Sequence, residues 1–201
     1  MLTNFHPKGG GGHVTYIDTL IKINNDSQYV IGVASPESSY IYKHLKSRGY
    51  KYLYSCDFPG KIQKELPDII SSIKRFRGIV KHFGPDIVHA NGGADLFIVL
   101  WSYPFGASYS IVRTHHAIKG LGNDIYHRYI YRHLVKENIY VSKTSMAISH
   151  SKGLKPKNTV VIQNGVDLDY FYPTIKNKKL ATKYGIDDET FCFGSCAALV
   201  G

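Results

Sequence analysis

The sequence predicts an α/β fold, a Rossmann-like doubly wound parallel sheet, and three observations carry that prediction. Short β-branched or aromatic runs alternate with segments whose apolar residues recur at helical spacing. The connections are short, which favours parallel strands covered by helices on both faces. Polar or glycine-rich sequence also falls repeatedly just after a strand, where sheets of this kind bind ligands.

The first strand is the apolar run 1–5, and the run Gly9, Gly10, Gly11 and Gly12 follows it. Val14, Ile17, Leu20 and Ile21 share one face of a helix that Lys22, Asn24 and Asn25 close. A second strand is expected over 28–34, stopped by Pro36. A short helix then carries Ile41, Leu45 and Arg48 to a glycine stop at Gly49, and 50–55 reads as the third strand. Ile62, Leu66, Ile69, Ile70, Ile73, Phe76 and Val80 mark the longest helix, over 62–82, ended by Gly84 and Pro85.

A compact strand over 86–90 runs into Asn91, Gly92 and Gly93, and 94–103 is apolar all round, as expected of a helix buried against a sheet. A strand over 109–114 ends in His115 and His116. A Tyr-, His- and Arg-rich helix is expected over 123–135, then a short strand over 139–141, a Ser/Lys-rich turn, and a strand over 159–163 leading into Asn164, Gly165, Val166 and Asp167. After Pro173 the character changes. A Lys-rich helix over 174–184 stops at Gly185, and 190–198 reads as a strand with Cys192 and Cys196 as small core residues. The expected division is therefore a domain over 1–173 and, over 174–201, a linker with the first strand of a second domain.

With 201 residues, a net charge of +10 and 43% hydrophobic residues, the chain can bury a core and suits an anionic partner. Its basic residues are spread out, and no recognition helix, zinc finger or aromatic RNA-binding signature accompanies them, so nucleic acid is not the expected partner. The three cysteines show neither zinc-site spacing nor a disulfide framework. Without a secretory apolar region or a bilayer-length apolar run, a reduced cytoplasmic setting is expected.

The glycine run admits two readings: a loop whose backbone N–H groups and following helix N-terminus take a phosphate, or a plain connection. It matches neither the dinucleotide-binding glycine spacing nor a P-loop. His115 and His116 close a strand at the sheet edge where ligands bind, and either could be the functional one. Asp167 and Asp169 have the spacing of a cation-binding pair, but Asn164 and Gly165 suit a tight turn that Asp167 would cap, so no metal site is expected.

Residues 7–13, the run from Pro85 to Ala90, Thr114-His115-His116, and Asn164-Gly165-Val166-Asp167 ending in Phe171-Tyr172-Pro173 together resemble the amino-terminal half of family 4 retaining glycosyltransferases. Lys183-Tyr184-Gly185-Ile186 and Phe193-Gly194-Ser195 are similar to the start of that family's second domain. The resemblance implies half of a GT-B architecture, with this half holding the acceptor. It implies His116, or its neighbour His115, as the catalytic histidine, and Gly9 to Gly12 as the donor diphosphate loop. It further implies acceptor contacts from His13, Asn91 and Gly92, and an interdomain turn at Asn164, Gly165 and Asp167. The expected substrates are a nucleotide-sugar donor and a saccharide or polyprenyl-linked acceptor of polysaccharide or lipopolysaccharide assembly, with no cofactor and with peripheral contact to an anionic membrane. Lacking most of the donor domain, the chain is expected to be inactive alone; a non-catalytic acceptor-binding or scaffold domain is the alternative.

Overall fold

The computed structural model of the protein describes residues 1–5, 12–24, 29–59, 62–103, 108–116 and 124–194, with the backbone alone at 62–65. β1 (Leu2–Thr3) leads to α1 (Gly12–Ile23), β2 (Val33–Ser35), α2 (Tyr40–Ser47), β3 (Leu53–Ser55), α3 (Ile62–Phe83), β4 (Ile87–Ala90), α4 (Gly93–Ser102) and β5 (Ser110–His115). Next come α5 (Ile125–Tyr129), a π-helical turn (Ile130–Leu134), β6 (Val135–Tyr140), α6 (Lys143–Ser151), β7 (Thr159–Val161) and α7 (Lys178–Lys183). The strands pair in parallel in the order β3-β2-β1-β4-β5-β6-β7, which is the expected Rossmann-like α/β sheet. Strand order runs outward from β1 in one direction and from β4 in the other. The order thus reverses between β1 and β4, and in sheets of this kind ligands bind at the carboxyl ends of the strands beside such a switch point.

Successive strand residues point to opposite faces, and each face has its own core. On one, Leu2 and Val33 meet Val14 and Ile17 of α1 and Ile41 and Leu45 of α2. On the other, Val88, Ala90 and Ile111 meet Phe76 and Ile79 of α3 and Leu96, Ile98 and Val99 of α4. Pro67 removes one backbone donor inside α3, yet the helix continues, because Ile69, Phe76 and Ile79 anchor it to the sheet. Gly84 ends it in the left-handed region, at φ 61°.

Several elements depart from expectation. The helix expected over 123–135 is α5 and the π-helical turn, and Val135 opens a six-residue strand in place of the short strand at 139–141. Val135 pairs with Ile111 and Glu137 with Val112, so Lys136 is the extra residue of a bulge. The Ser/Lys-rich turn is instead the helix α6. Ser142 caps it by accepting from Ser145 N at 3.1 Å, and its buried residues are Ser145 and Ser149, so no apolar period announces it. α4 is not covered all round, since Trp101 is 57% exposed. β2, β3, β7 and α7 are shorter than expected.

Within the described part of 190–198 there is no strand, and Cys192 is exposed rather than part of a core. Cys196 lies outside the described residues, as do Gly9, Gly10 and Gly11.

The chain divides into two compact units, Met1–Asn164 and Gly165–Gly201. In the second, Asn177 caps α7 by accepting from Leu180 N at 3.1 Å. Asp167 Oδ1 accepts from the backbone N–H groups of Asp169 and Tyr170 at 3.1 and 3.2 Å. The turn around Asp167 thus spends that carboxylate on its own backbone, as an Asx turn does.

Candidate functional site

The carboxyl ends of β1, β4 and β5 meet around one buried carboxylate. Asp95 is the only charged residue of α4 and is fully buried. Its Oδ2 accepts the Thr3 hydroxyl at 2.6 Å and Asn91 N at 2.7 Å. Its Oδ1 accepts Gly92 N at 2.7 Å and Leu96 N at 3.0 Å. Arg113, the only Lys or Arg in β5, places Nη1 3.9 Å from Oδ1. Burial pushes the Asp95 pKa up, while Arg113 and the surrounding donors oppose that shift. Arg113 is buried in turn. It hydrogen-bonds Tyr131, and its Nε and Nη1 find no hydrogen-bond partner among the described residues. Removing Asp95 would therefore strand a buried cation.

The carboxylate fixes the loop after β4. A Cβ on Gly92 would come within 1.9 Å of the Phe5 ring, so this close approach admits only glycine. Asn91 is 1% exposed, and its amide is committed: Nδ2 donates to Thr3 O at 3.0 Å and to His89 O at 3.4 Å. Its Oδ1 lies 3.3 Å from His116 Nε2. Asn91 thus sits beneath His116 as a support.

His116, just past β5, is held by rings as well. Its centroid lies 4.4 Å from that of His13 at an interplanar angle of 36°, and 4.8 Å from Tyr16, which meets it edge-on. His13 and Tyr16 come from the first two turns of α1, whose amino end is Gly12. Phe5 lies 5.4 Å from His13. Below them, Thr114 Oγ1 is shared between His89 Nε2 at 2.6 Å and Tyr16 OH at 3.4 Å.

The structure thus brings His13, Asn91, Gly92, Gly12 and His116 to one edge. His115 points into the protein: it is 4% exposed, stacks on Tyr140 at 4.5 Å and faces Asn138 Oδ1 with Nε2 at 3.1 Å. Asn164 is exposed past β7, the outermost strand, and Gly165 and Asp167 belong to the second unit.

The sequence reading missed Thr3, Tyr16, His89, Asp95 and Arg113. One signal could have found two of them. A lone acid in an otherwise apolar helix and a lone base in an apolar strand must find each other, because neither charge can be buried alone.

Burial, with nearby positive charges, lowers the pKa of His89 to about 4. It lowers those of His115 and His116 to about 3, with Arg113 acting against protonation of both and His13 against that of His116. All three imidazoles are neutral at pH 7, where they can exchange hydrogen bonds with uncharged groups. On unfolding, each regains the ordinary value of 6.5 and takes up a proton below it. The unfolded state then binds more protons, so stability is full above pH 6.5 and is lost as pH falls towards 4. A denaturation midpoint measured from pH 7.5 to 4 is expected to be level at first and then to drop steadily. A midpoint unchanged down to pH 4 would contradict neutral burial.

The model of Glycosyltransferase Family 4 matches residues 10–170. No curated protein matches the sequence. Among solved structures, a glycosyltransferase from Rickettsia africae superposes with a TM-score of 0.65 at 18% identity, covering 94% of this chain and 50% of its own. The HepE protein of Anabaena, determined with UDP-glucose, gives a TM-score of 0.61 at 18% identity, covering 92% of this chain and 49% of its own. The lipopolysaccharide outer core galactosyltransferase WaaB in its apo form gives 0.58 at 15% identity, over 83% and 45%. The chain spans about half the length of these structures, and its sheet is the Rossmann-like half of their GT-B fold. With the family model covering most of its length, the chain belongs to glycosyltransferase family 4.

Proposed function

We propose that the chain is the acceptor-side half of a retaining glycosyltransferase. It would help move a hexosyl group from a nucleotide-sugar donor to a saccharide or polyprenyl-linked acceptor in cell-surface polysaccharide or lipopolysaccharide assembly. The observation that carries the proposal is the pairing of His13 and His116 beside Tyr16 at the carboxyl edge of the sheet, in a chain of this family. The neutral imidazole of His116 and the aromatic edges beside it suit sugar hydroxyls and ring faces.

The amino end of α1 at Gly12 supports contact with a donor diphosphate, which Gly9, Gly10 and Gly11 would extend. HepE has been determined with UDP-glucose and with UDP, and WaaB is a lipopolysaccharide galactosyltransferase; both support a nucleotide-linked donor and a glycan acceptor here. The nucleotide half is proposed to lie in the portion of those structures that this chain does not cover, with Asn164, Gly165 and Asp167 turning towards it. The nucleotide sugar is a co-substrate, and no resident cofactor or metal is proposed.

The 201-residue chain by itself is expected to turn over no UDP-hexose, yet to bind oligosaccharide acceptors. In NMR titrations the shifts should centre on His13, Thr114 and His116, and His116→Ala should weaken binding about tenfold, the worth of one good hydrogen bond. Turnover by the chain alone would contradict the proposed division of labour. Silence of those residues towards every saccharide would contradict the acceptor role and favour a scaffold.

A membrane-bound acceptor also has a surface to meet. Ile125, Tyr126 and Tyr129 are 86%, 49% and 57% exposed, and Tyr126 hydrogen-bonds the exposed Trp101. Arg132 is exposed within the same helical stretch, and no described helix is long and apolar enough to cross a membrane. Aromatic residues mixed with basic ones suit the headgroup layer of an anionic leaflet, which supports a peripheral position at the cytoplasmic membrane face. Vesicles containing phosphatidylglycerol should sediment the chain while neutral vesicles do not, and the double change Ile125→Glu and Tyr129→Glu should abolish the effect. Equal sedimentation of that variant would contradict this surface.

A further inference from the structure

The amide of Asn91 is oriented without ambiguity. Two carbonyl oxygens, Thr3 O and His89 O, face Nδ2, and an amide oxygen placed there would meet only acceptors. Its Oδ1 therefore faces His116 Nε2. An amide oxygen can only accept, so the imidazole must place its proton on Nε2, and in a neutral ring Nδ1 is then a bare lone pair. His13 on one side and the edge of Tyr16 on another fix the plane of the ring. Asp95 completes the device: it grips Asn91 N and Gly92 N and so fixes the backbone from which the amide projects.

The neighbouring histidine shows the same device put to a different end. Asn138 Nδ2 donates to Asn158 O at 3.3 Å, which aims its Oδ1 at His115 Nε2. There Nδ1 is buried without a hydrogen-bond partner among the described residues. His116 is half-buried at the sheet edge, and its Nδ1 makes no hydrogen bond among the described residues. Of two consecutive histidines that face an amide oxygen through Nε2, His115 is buried and His116 lies half-buried at the sheet edge.

We infer that Asn91 is a positioning residue that holds His116 as the Nε2–H tautomer, so that Nδ1 accepts a hydrogen bond from a substrate hydroxyl and His116 does not donate to a diphosphate oxygen. The chemical class selected is an uncharged hydroxyl donor such as a sugar. The low basicity of the ring agrees with this, since a cationic His116 would have no lone pair to offer. This inference rests on the glycosyl-transfer proposal for the identity of the hydroxyl, but the tautomer stands independently of it.

The test is a long-range proton–nitrogen correlation spectrum of the histidine-labelled chain. At pH 7, His116 is expected in the Nε2–H pattern with an Nε2 proton that exchanges slowly with water. Asn91→Ala should accelerate that exchange at least tenfold. Asn91→Asp keeps an acceptor but adds a negative charge, and it should preserve the tautomer while raising the pH at which His116 protonates. An Nδ1–H or doubly protonated ring at pH 7, or an exchange rate unmoved in Asn91→Ala, would overturn the inference. Two probes then separate the tautomer from the function. A hexose or oligosaccharide should move the Nδ1 nitrogen resonance, and inorganic diphosphate should leave it in place. A shift with diphosphate alone would overturn the hydroxyl assignment. If no sugar moves the resonance while the tautomer is as expected, the glycosyl-transfer proposal fails and the positioning role of Asn91 survives.

Discussion

The Asp95 carboxylate is the interaction on which the rest of the site depends. It touches three parts of the chain far apart in sequence: Thr3 in β1, the Asn91-Gly92 loop after β4, and Arg113 in β5. A buried carboxylate is costly unless its lone pairs are filled. Here one hydroxyl and three backbone N–H groups fill them, with the Arg113 guanidinium 3.9 Å away as the counter-charge, and meeting that demand aligns the carboxyl ends of three adjacent strands. The point where the strand order reverses is thereby locked from below.

Function sits one layer above. The locked loop presents Asn91, Asn91 orients His116, and α1 closes over it with His13 and Tyr16. The imidazoles lie on a charged foundation without becoming charged themselves, because burial and Arg113 both act against protonation. A site for a neutral, hydroxyl-rich molecule can in this way be built beside a basic sheet interior.

How much of this could be read from residues alone depends on where each element obtains its stability. α3 and the central strands β4 and β5 bury apolar side chains at regular spacing, and their sequence shows it. α6 turns serines inwards, with Ser149 accepting the Tyr140 hydroxyl at 2.9 Å, and β6 accommodates Lys136 through a bulge, so neither carries an apolar period. The site divides similarly. His116 and the Asn91-Gly92 loop are visible because they follow strands. Asp95 and Arg113 show only as a lone acid and a lone base in apolar elements, because their meaning lies in a contact between α4 and β5 that only the fold creates. The choice between His115 and His116 as the residue that faces the site likewise needed the fold, since adjacent strand residues point to opposite faces and sequence does not say which face is filled.

The most direct measurement is the unfolding free energy of the chain carrying Asp95→Ala, Arg113→Met, and both changes together, by urea denaturation at pH 7. If Asp95 is the keystone, Asp95→Ala alone should cost about 3–5 kcal/mol, as expected when one partner of a buried ion pair is removed. The double variant should recover a substantial part of that loss by removing the stranded guanidinium. A cost below about 1 kcal/mol for Asp95→Ala, within the range of an exposed ion pair, would contradict the central role given to this carboxylate.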